Sequence, residues 1–309
     1  RTYPGQTDCT ISALGYYVAQ AGSANQIAAG VGHFVNSTGS SAQTSCSIGT
    51  YQPSSAQTTC FAASPGYYVP ATGQANQTIC NVGTYQPASG QRVCLEADAG
   101  HYVPIQGATN QTQCHLGTFQ PYGGQLSCTD AEPGHFVATN ASISQTACSP
   151  GEYQPSSGQI SCLQTSSGYY TGDPGSANQQ PCVPGYYQPL PGQSDCNGAE
   201  PGFYVDTPAS ISQLACPAGS YNPFALATQA TDCLLADFGH FVPLQGSIGQ
   251  IECNPGNYSA NQGQIACDSA APGYYVPTPG ADAQLPCSVG TCKTVTDPQV
   301  VILLHPDIT

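Results

Sequence analysis

The chain has 309 residues, of which 6% are charged, 17 Asp and Glu against 3 Lys and Arg, for a net charge of −14; an ordinary soluble domain is about 25% charged. Its three basic residues, Arg1, Arg92 and Lys293, and a pI near 4.2 leave nothing to neutralise a phosphate backbone, which excludes nucleic-acid binding. The longest apolar run, Val300 to Leu304, falls far short of the roughly 20 residues a membrane span needs, so no bilayer crossing is expected.

Cohesion must come from elsewhere than an aliphatic core, and 17 Cys with 19 Tyr point to cross-links and rings. The chain contains no Met, so Arg1 reads as the start of a processed or excerpted product.

Residues 1–45 form an atypical N-terminal cap. Tyr3 to Cys9 is the tail of a Cys-bounded segment, Gly15-Tyr16-Tyr17-Val18 opens a second, and Ala29 stands where that one should close on Cys. Gly32-His33-Phe34 then opens another, which ends at Cys46. Residues 46–286 are seven tandem Cys-rich repeats with Cys intervals alternating 14 and 20, a period of 34, with one copy stretched by three. The short half is exemplified by Cys80, Gly83, Tyr85, Gln86, Pro87, Gly90 and Cys94, and the long half by Cys60, Gly66, Tyr67, Tyr68, Val69, Pro70, Gly73 and Cys80. Gly and Pro every few residues forbid useful helix. Short strands such as Tyr67–Val69, joined by Pro-x-x-Gly turns, are predicted. The fold class is therefore all-β and loop-rich, an elongated disulfide-stapled tandem-repeat rod. Residues 287–309 are a truncated repeat followed by an apolar strand.

Two pairing schemes fit the spacing. Bridging each short half gives Cys46–Cys60, Cys80–Cys94, Cys114–Cys128, Cys148–Cys162, Cys182–Cys196, Cys216–Cys233, Cys253–Cys267 and Cys287–Cys292, and strands only Cys9. Bridging each long half strands Cys9, Cys46 and Cys292. An oxidising compartment penalises spare thiols, so the count favours the first scheme. Cys9 is then a candidate for an intermolecular bond.

The pattern Cys-x-x-Gly-x-Tyr with a later Gly and closing Cys, as in Cys46/Gly49/Tyr51/Cys60 and Cys253/Gly256/Tyr258/Cys267, resembles the cysteine-rich ephrin-receptor-like repeat and tumour-necrosis-factor-receptor-like submodules. Long secreted and surface proteins of microbes look similar. The resemblance implies a bridge within each short half and an architecture rather than an activity. The chain departs from it in lacking Cys-x-x-Cys junctions.

Candidate chemistry is sparse. His33, His101, His135 and His240 share a slot held elsewhere by Tyr or Phe, so a packed flat ring is expected rather than a base or ligand. The neighbouring aromatic column, which includes Tyr68, should form a ladder of rings between successive bridges. Glu96, Asp98, Asp130, Glu132, Glu200 and Asp237 read as a solvated acidic edge, too dilute for calcium. No catalytic residue, metal site or cofactor is expected. Asn36, Asn76, Asn110, Asn140 and Asn257 head N-x-S/T sequons and are candidates for N-glycosylation. Val300, Val301, Ile302, Leu303 and Leu304 form a candidate subunit-joining strand. The expected function is that of a secreted, non-enzymatic structural protein. It would be a self-assembling filament or surface-fibre subunit whose partners are copies of itself, in a cell-surface appendage. The alternative is an adhesin or receptor-type ectodomain with the repeats as stalk or ligand surface.

Overall fold

The structure, a computed structural model, describes residues 8–292 and the backbone of Ile302–Leu303. It is all-β and loop-rich, built from antiparallel hairpins whose strands are two residues long. First strands begin at Tyr16, His33, Thr50, Tyr67, Thr84 and His101, each 17 residues after the last. The same step runs from Thr118 through Ser220. The 34-residue covalent period is thus two hairpins of one register. Ala29, which stands where a closing Cys is expected, occupies the position of Cys46 in an unbroken 17-residue series.

The chain divides into two compact bodies, Arg1–Ala147 with Ser156–Ser161, and Cys148–Pro155 with Cys162–Thr309. In the first, Tyr67–Tyr68 pairs with Thr78–Ile79 in the register Tyr67↔Ile79 and Tyr68↔Thr78. The lead-in Ser64-Pro65-Gly66-Tyr67 closes with the Tyr67 N–H donating to the Ser64 carbonyl at 3.0 Å. Pro65 at the second position and Gly66 at φ +83° make this a type II turn. Val69, expected to extend the strand, turns away and donates its N–H to the Gln91 carbonyl of the next hairpin at 2.9 Å.

That bond is one of three backbone links per junction. Gly66 N–H donates to the Gln86 carbonyl at 2.8 Å, and Gly90 N–H returns to the Ala63 carbonyl at 2.8 Å. The second body repeats the set with Gly185 to Val205, Gln188 to Ser210 and Ala209 to Cys182, at 2.8, 2.9 and 2.8 Å. A lone two-residue hairpin is at best marginal in water, so stacking is what makes each one stable.

The core is two thin columns. One alternates Cys and Ala, with Cys46, Ala63 and Cys80 all fully buried; the other alternates Val and Gln, as in Gln52, Val69, Gln86 and Val103. The buried Gln52 is satisfied, its Nε2 donating to the Thr59 carbonyl at 2.7 Å and its Oε1 accepting the Ser54 N–H at 3.1 Å. The expected ring ladder is not the core. Tyr67 and Tyr68 are only half-buried, because a two-residue strand stands at the surface of its hairpin, and small side chains fill the interior. Tyr51 does meet Phe61 at 6.0 Å between centroids, across the strands of one hairpin.

The three extra residues in the stretched copy fold as a 3-10 turn, Ala230–Asp232. The Asp232 carboxylate accepts the Thr228 N–H at 2.7 Å and the Gln229 N–H at 3.1 Å. Asn222, one methylene shorter than the Gln of its column, still accepts the Phe224 N–H at 3.0 Å but leaves its Nδ2 without a partner. At the far end Ile302–Leu303 pairs within the chain against Thr291–Cys292, as Cys292↔Ile302 and Thr291↔Leu303. Two residues of the candidate subunit-joining strand thus have a ladder partner within their own chain. Val300, Val301 and Leu304 lie outside the described residues.

Two predictions follow from this packing. A methyl on Gly83, at φ +79°, would overlap the Gly124 carbonyl two hairpins on, whereas one on Gly39, at φ +73°, meets nothing within 4 Å. Ala56 and Ala141 already hold positive φ in the column of Gly39. Gly39→Ala should therefore cost about 1 kcal/mol of left-handed strain, and Gly83→Ala about 3 kcal/mol or more through added overlap, read by urea unfolding with disulfides intact.

The backbone N–H of Thr228 holds the Asp232 carboxyl below its ordinary range. A depressed carboxylate stabilises above its unfolded pKa, and the contribution is lost as pH falls through the folded value. The 228–232 turn should therefore hold at neutral pH and loosen below about pH 4. Asp232→Asn should abolish that pH dependence of the Thr228 and Gln229 amide shifts.

Candidate functional site

The chemistry of this chain is concentrated in the closure of each hairpin. Seven disulfides close among the described residues: Cys46–Cys60, Cys80–Cys94, Cys114–Cys128, Cys148–Cys162, Cys182–Cys196, Cys216–Cys233 and Cys253–Cys267. Six span 14 residues; Cys216–Cys233 spans 17 and absorbs the 3-10 insert. The Cα atoms lie 5.7 to 5.9 Å apart, an ordinary span for a disulfide. In each bridge the first Cys is fully buried in the core column and the second is half-exposed.

The intervening hairpins carry a second kind of staple that sequence reasoning missed. Where the second Cys would stand, these hairpins carry Gln, and its side-chain oxygen accepts a backbone N–H 13 residues back. Gln77 accepts from Ser64 at 2.7 Å, Gln111 from Asp98 at 2.7 Å, Gln145 from Glu132 at 2.7 Å and Gln213 from Glu200 at 2.8 Å. Gln26 and Gln43 do the same for Ala13 and Gly30. From Gln43 onward, covalent and hydrogen-bonded closures thus alternate along each body. The regular recurrence of Gln three residues before every long-half Cys was the available signal.

This finding reassigns four of the six residues of the acidic edge. The Asp98 carboxylate accepts the Gln111 Nε2 at 2.6 Å, Glu132 accepts Gln145 at 3.1 Å, Glu200 accepts Gln213 at 3.2 Å and Asp237 accepts Gln250 at 2.8 Å. Each acid and its Gln form a two-point clasp, so these carboxylates belong to the staple. Glu96 and Asp130 make no such clasp and lie exposed on second strands.

His33, His101, His135 and His240 sit on first strands, each with Nδ1 near the carbonyl two residues back, at 3.0 to 3.4 Å. His240 also lies 3.9 Å from Glu252, its cross-strand partner. Among the described residues no three His, Cys, Asp or Glu side chains gather as a metal-ligand set. A shallow cleft in the second body is lined by Tyr170, Val183, Tyr186, Asp195 and Cys196. Its one carboxylate, Asp195, already accepts the Cys196 N–H at 2.8 Å.

The sequons divide by environment. Asn36, Asn76, Asn110 and Asn140 are exposed on loops, whereas Asn257 is half-buried on a strand and its Oδ1 accepts the Ser269 hydroxyl at 2.9 Å. Cys9 is exposed and free, and Cys287 also carries a free thiol. The expected Cys287–Cys292 bridge is thus not among the bonds of the described residues, and the side chain of Cys292 lies outside them. The register gives the reason: interior bridges reach a second strand's approach 14 residues on, while Cys292 stands on the adjoining first strand.

Residues 66–114 match the family model described as tyrosine-protein kinase ephrin type A/B receptor-like. That segment is a cysteine-rich ephrin-receptor-like repeat, and the same bridge recurs about every 34 residues from Cys46 to Cys267. No curated protein matches the chain. Repeats of this type, with so many disulfides, are those of an extracellular domain. No helix among the described residues is long and apolar enough to cross a membrane.

If the two staples are equivalent, one should convert into the other. Ala63→Cys with Gln77→Cys should form an eighth interior bridge, read as loss of both new thiols, and raise stability by roughly 3 kcal/mol for a 14-residue closure. Gln77→Ala alone should lose about 1 kcal/mol, one net hydrogen bond.

Proposed function

We propose that the chain is an extracellular structural protein whose copies assemble into a filament or surface fibre. One observation supports this most: each junction within a body is made by three backbone hydrogen bonds that do not depend on side-chain identity. A junction of that kind can be continued by a hairpin from a second copy without a specialised interface. Few charges need desolvating, at 6% of residues. The staples resist unfolding outside the cell. N-glycans on Asn36, Asn76, Asn110 and Asn140 would decorate exposed loops and leave the core columns untouched.

The match at 66–114 favours a second reading, an adhesin or receptor-type ectodomain in which the repeats serve as a stalk or ligand surface. Negative-stain microscopy and sedimentation of the purified full chain separate the two. Fibres many chains long are expected from self-assembly; particles of a single chain at every concentration would favour the stalk. Expression in a glycosylating host should add mass at the four loop sequons and leave Asn257 bare.

A further inference from the structure

The hairpin closed by Cys182–Cys196 departs from the other bridged hairpins at three positions that lie together. Tyr186 occupies a first-strand slot that holds Thr50, Thr84, Thr118 and Ser220 elsewhere, and no other bridged hairpin among the described residues has an aromatic side chain there. Asp195 precedes the closing Cys where Val93, Ser127 and Ala266 stand. Asp232, the other acid in that slot, is committed to its own 3-10 turn. Gly198 faces Tyr186 across the ladder, where every other bridged hairpin carries a side chain. Leu226 Cδ2 enters the space this leaves, 2.5 Å from where a Cβ would stand, and Tyr186 Cε1 lies 3.8 Å from the same point. Two of the departures thus line the cleft of about 290 Å³ formed by Tyr170, Val183, Tyr186, Asp195 and Cys196, and the third lets Leu226 pack beside the Tyr186 ring.

The lining fixes the chemistry of a ligand. Tyr170, from the preceding hairpin, is held by its hydroxyl donating to Gln180 Oε1 at 3.3 Å. One Asp195 oxygen accepts the Cys196 N–H at 2.8 Å, and the other has no partner among the described residues. The one ion pair among those residues joins His240 to Glu252, so no cation there neutralises Asp195. A carboxylate flanked by two phenol rings and an isopropyl group, in a chain of net charge −14, attracts an organic cation and repels an anion. A primary ammonium carries three donors to satisfy, and a single carboxylate oxygen is free for them. A quaternary ammonium has no donor, and its methyl groups pack on the rings and on Val183. We propose that this cleft binds a quaternary ammonium head group of the size of choline. Its volume lies at the lower limit of small-molecule pockets, which suits one such group. The site is complete within one chain, so it stands or falls separately from assembly into fibres.

The test titrates the full chain, disulfides intact, with choline chloride at fixed ionic strength, read by calorimetry and by saturation transfer to the choline methyl signal. Saturable binding at a single site is expected, with a dissociation constant on the order of millimolar for so small a ligand. The neutral carbon isostere neopentylcarbinol should bind about tenfold more weakly, and ethanolammonium roughly threefold. Tyr186→Thr and Asp195→Ser each install a residue that the scaffold already carries in the same slot of another bridged hairpin, so an unchanged unfolding midpoint is expected. Each should weaken choline binding roughly fivefold. Equal binding of the neutral isostere or of ethanolammonium would overturn the assignment to a quaternary cation. Choline binding that neither substitution weakens is counter-ion attraction to an acidic chain and would overturn the site, as would the absence of saturable binding.

Discussion

Everything in this molecule depends on a glycine N–H that points out of its own hairpin. In the type II turn before each first strand, positive φ directs that N–H to a carbonyl of the next hairpin, as from Gly66 to Gln86. The missing Cβ matters equally, since the site a side chain would occupy at Gly66 is filled by the Gly107 carbonyl two hairpins on. A hairpin thus touches both its neighbour and the next but one. That reach is why strands of two residues suffice: order comes from repetition along each body and not from the width of any sheet.

Given that stack, each hairpin needs only its loop held shut, and two different chemistries do this at equivalent positions. A disulfide restricts the unfolded chain, while a Gln side chain satisfies a backbone donor in the folded one. The interior stays narrow because the closing residues are small where they meet. Cys and Ala alternate at full burial, and Thr165 takes the Ala position with its hydroxyl bonded to the Gln193 carbonyl at 3.3 Å. The design tolerates polar residues inside provided each is satisfied, as Gln52 is. At Asn222 the insert and the shorter side chain leave one donor without a partner.

The repeat, the strands and the turns were legible in the sequence because cysteine marks register with little ambiguity and Gly and Pro punctuate it. The halving of the period was not. The two hairpins of a period differ at both core columns, Cys with Val against Ala with Gln, and so look unrelated residue by residue. Gln77 and its equivalents were hidden by abundance, since Gln recurs along the chain for other purposes and reads as solubility. Asp98 and Glu132 read as a solvated edge for the same reason: their role appears only once Gln111 and Gln145 are seen beside them. The aromatic ladder failed on a physical assumption, that large rings must fill the core. Two-residue strands leave no interior wide enough, and rings such as Tyr68 cover the hairpins instead.

The variable positions lie apart from the invariant ones. Two residues after the buried Val or Gln, the loop holds Ser54 and Ala88 in some hairpins and Ile105, Tyr122, Leu190, Phe224 and Leu244 in others, all five of the latter 58 to 70% exposed. A fibre built by side-to-side packing needs a face that repeats with the hairpins, because each lateral contact must be made again one period along. This face does not repeat. The groups that do recur without change are the backbone donors and acceptors of the junctions. The invariant parts therefore lie at the junctions between hairpins, and the irregular loops are left free to differ from one hairpin to the next.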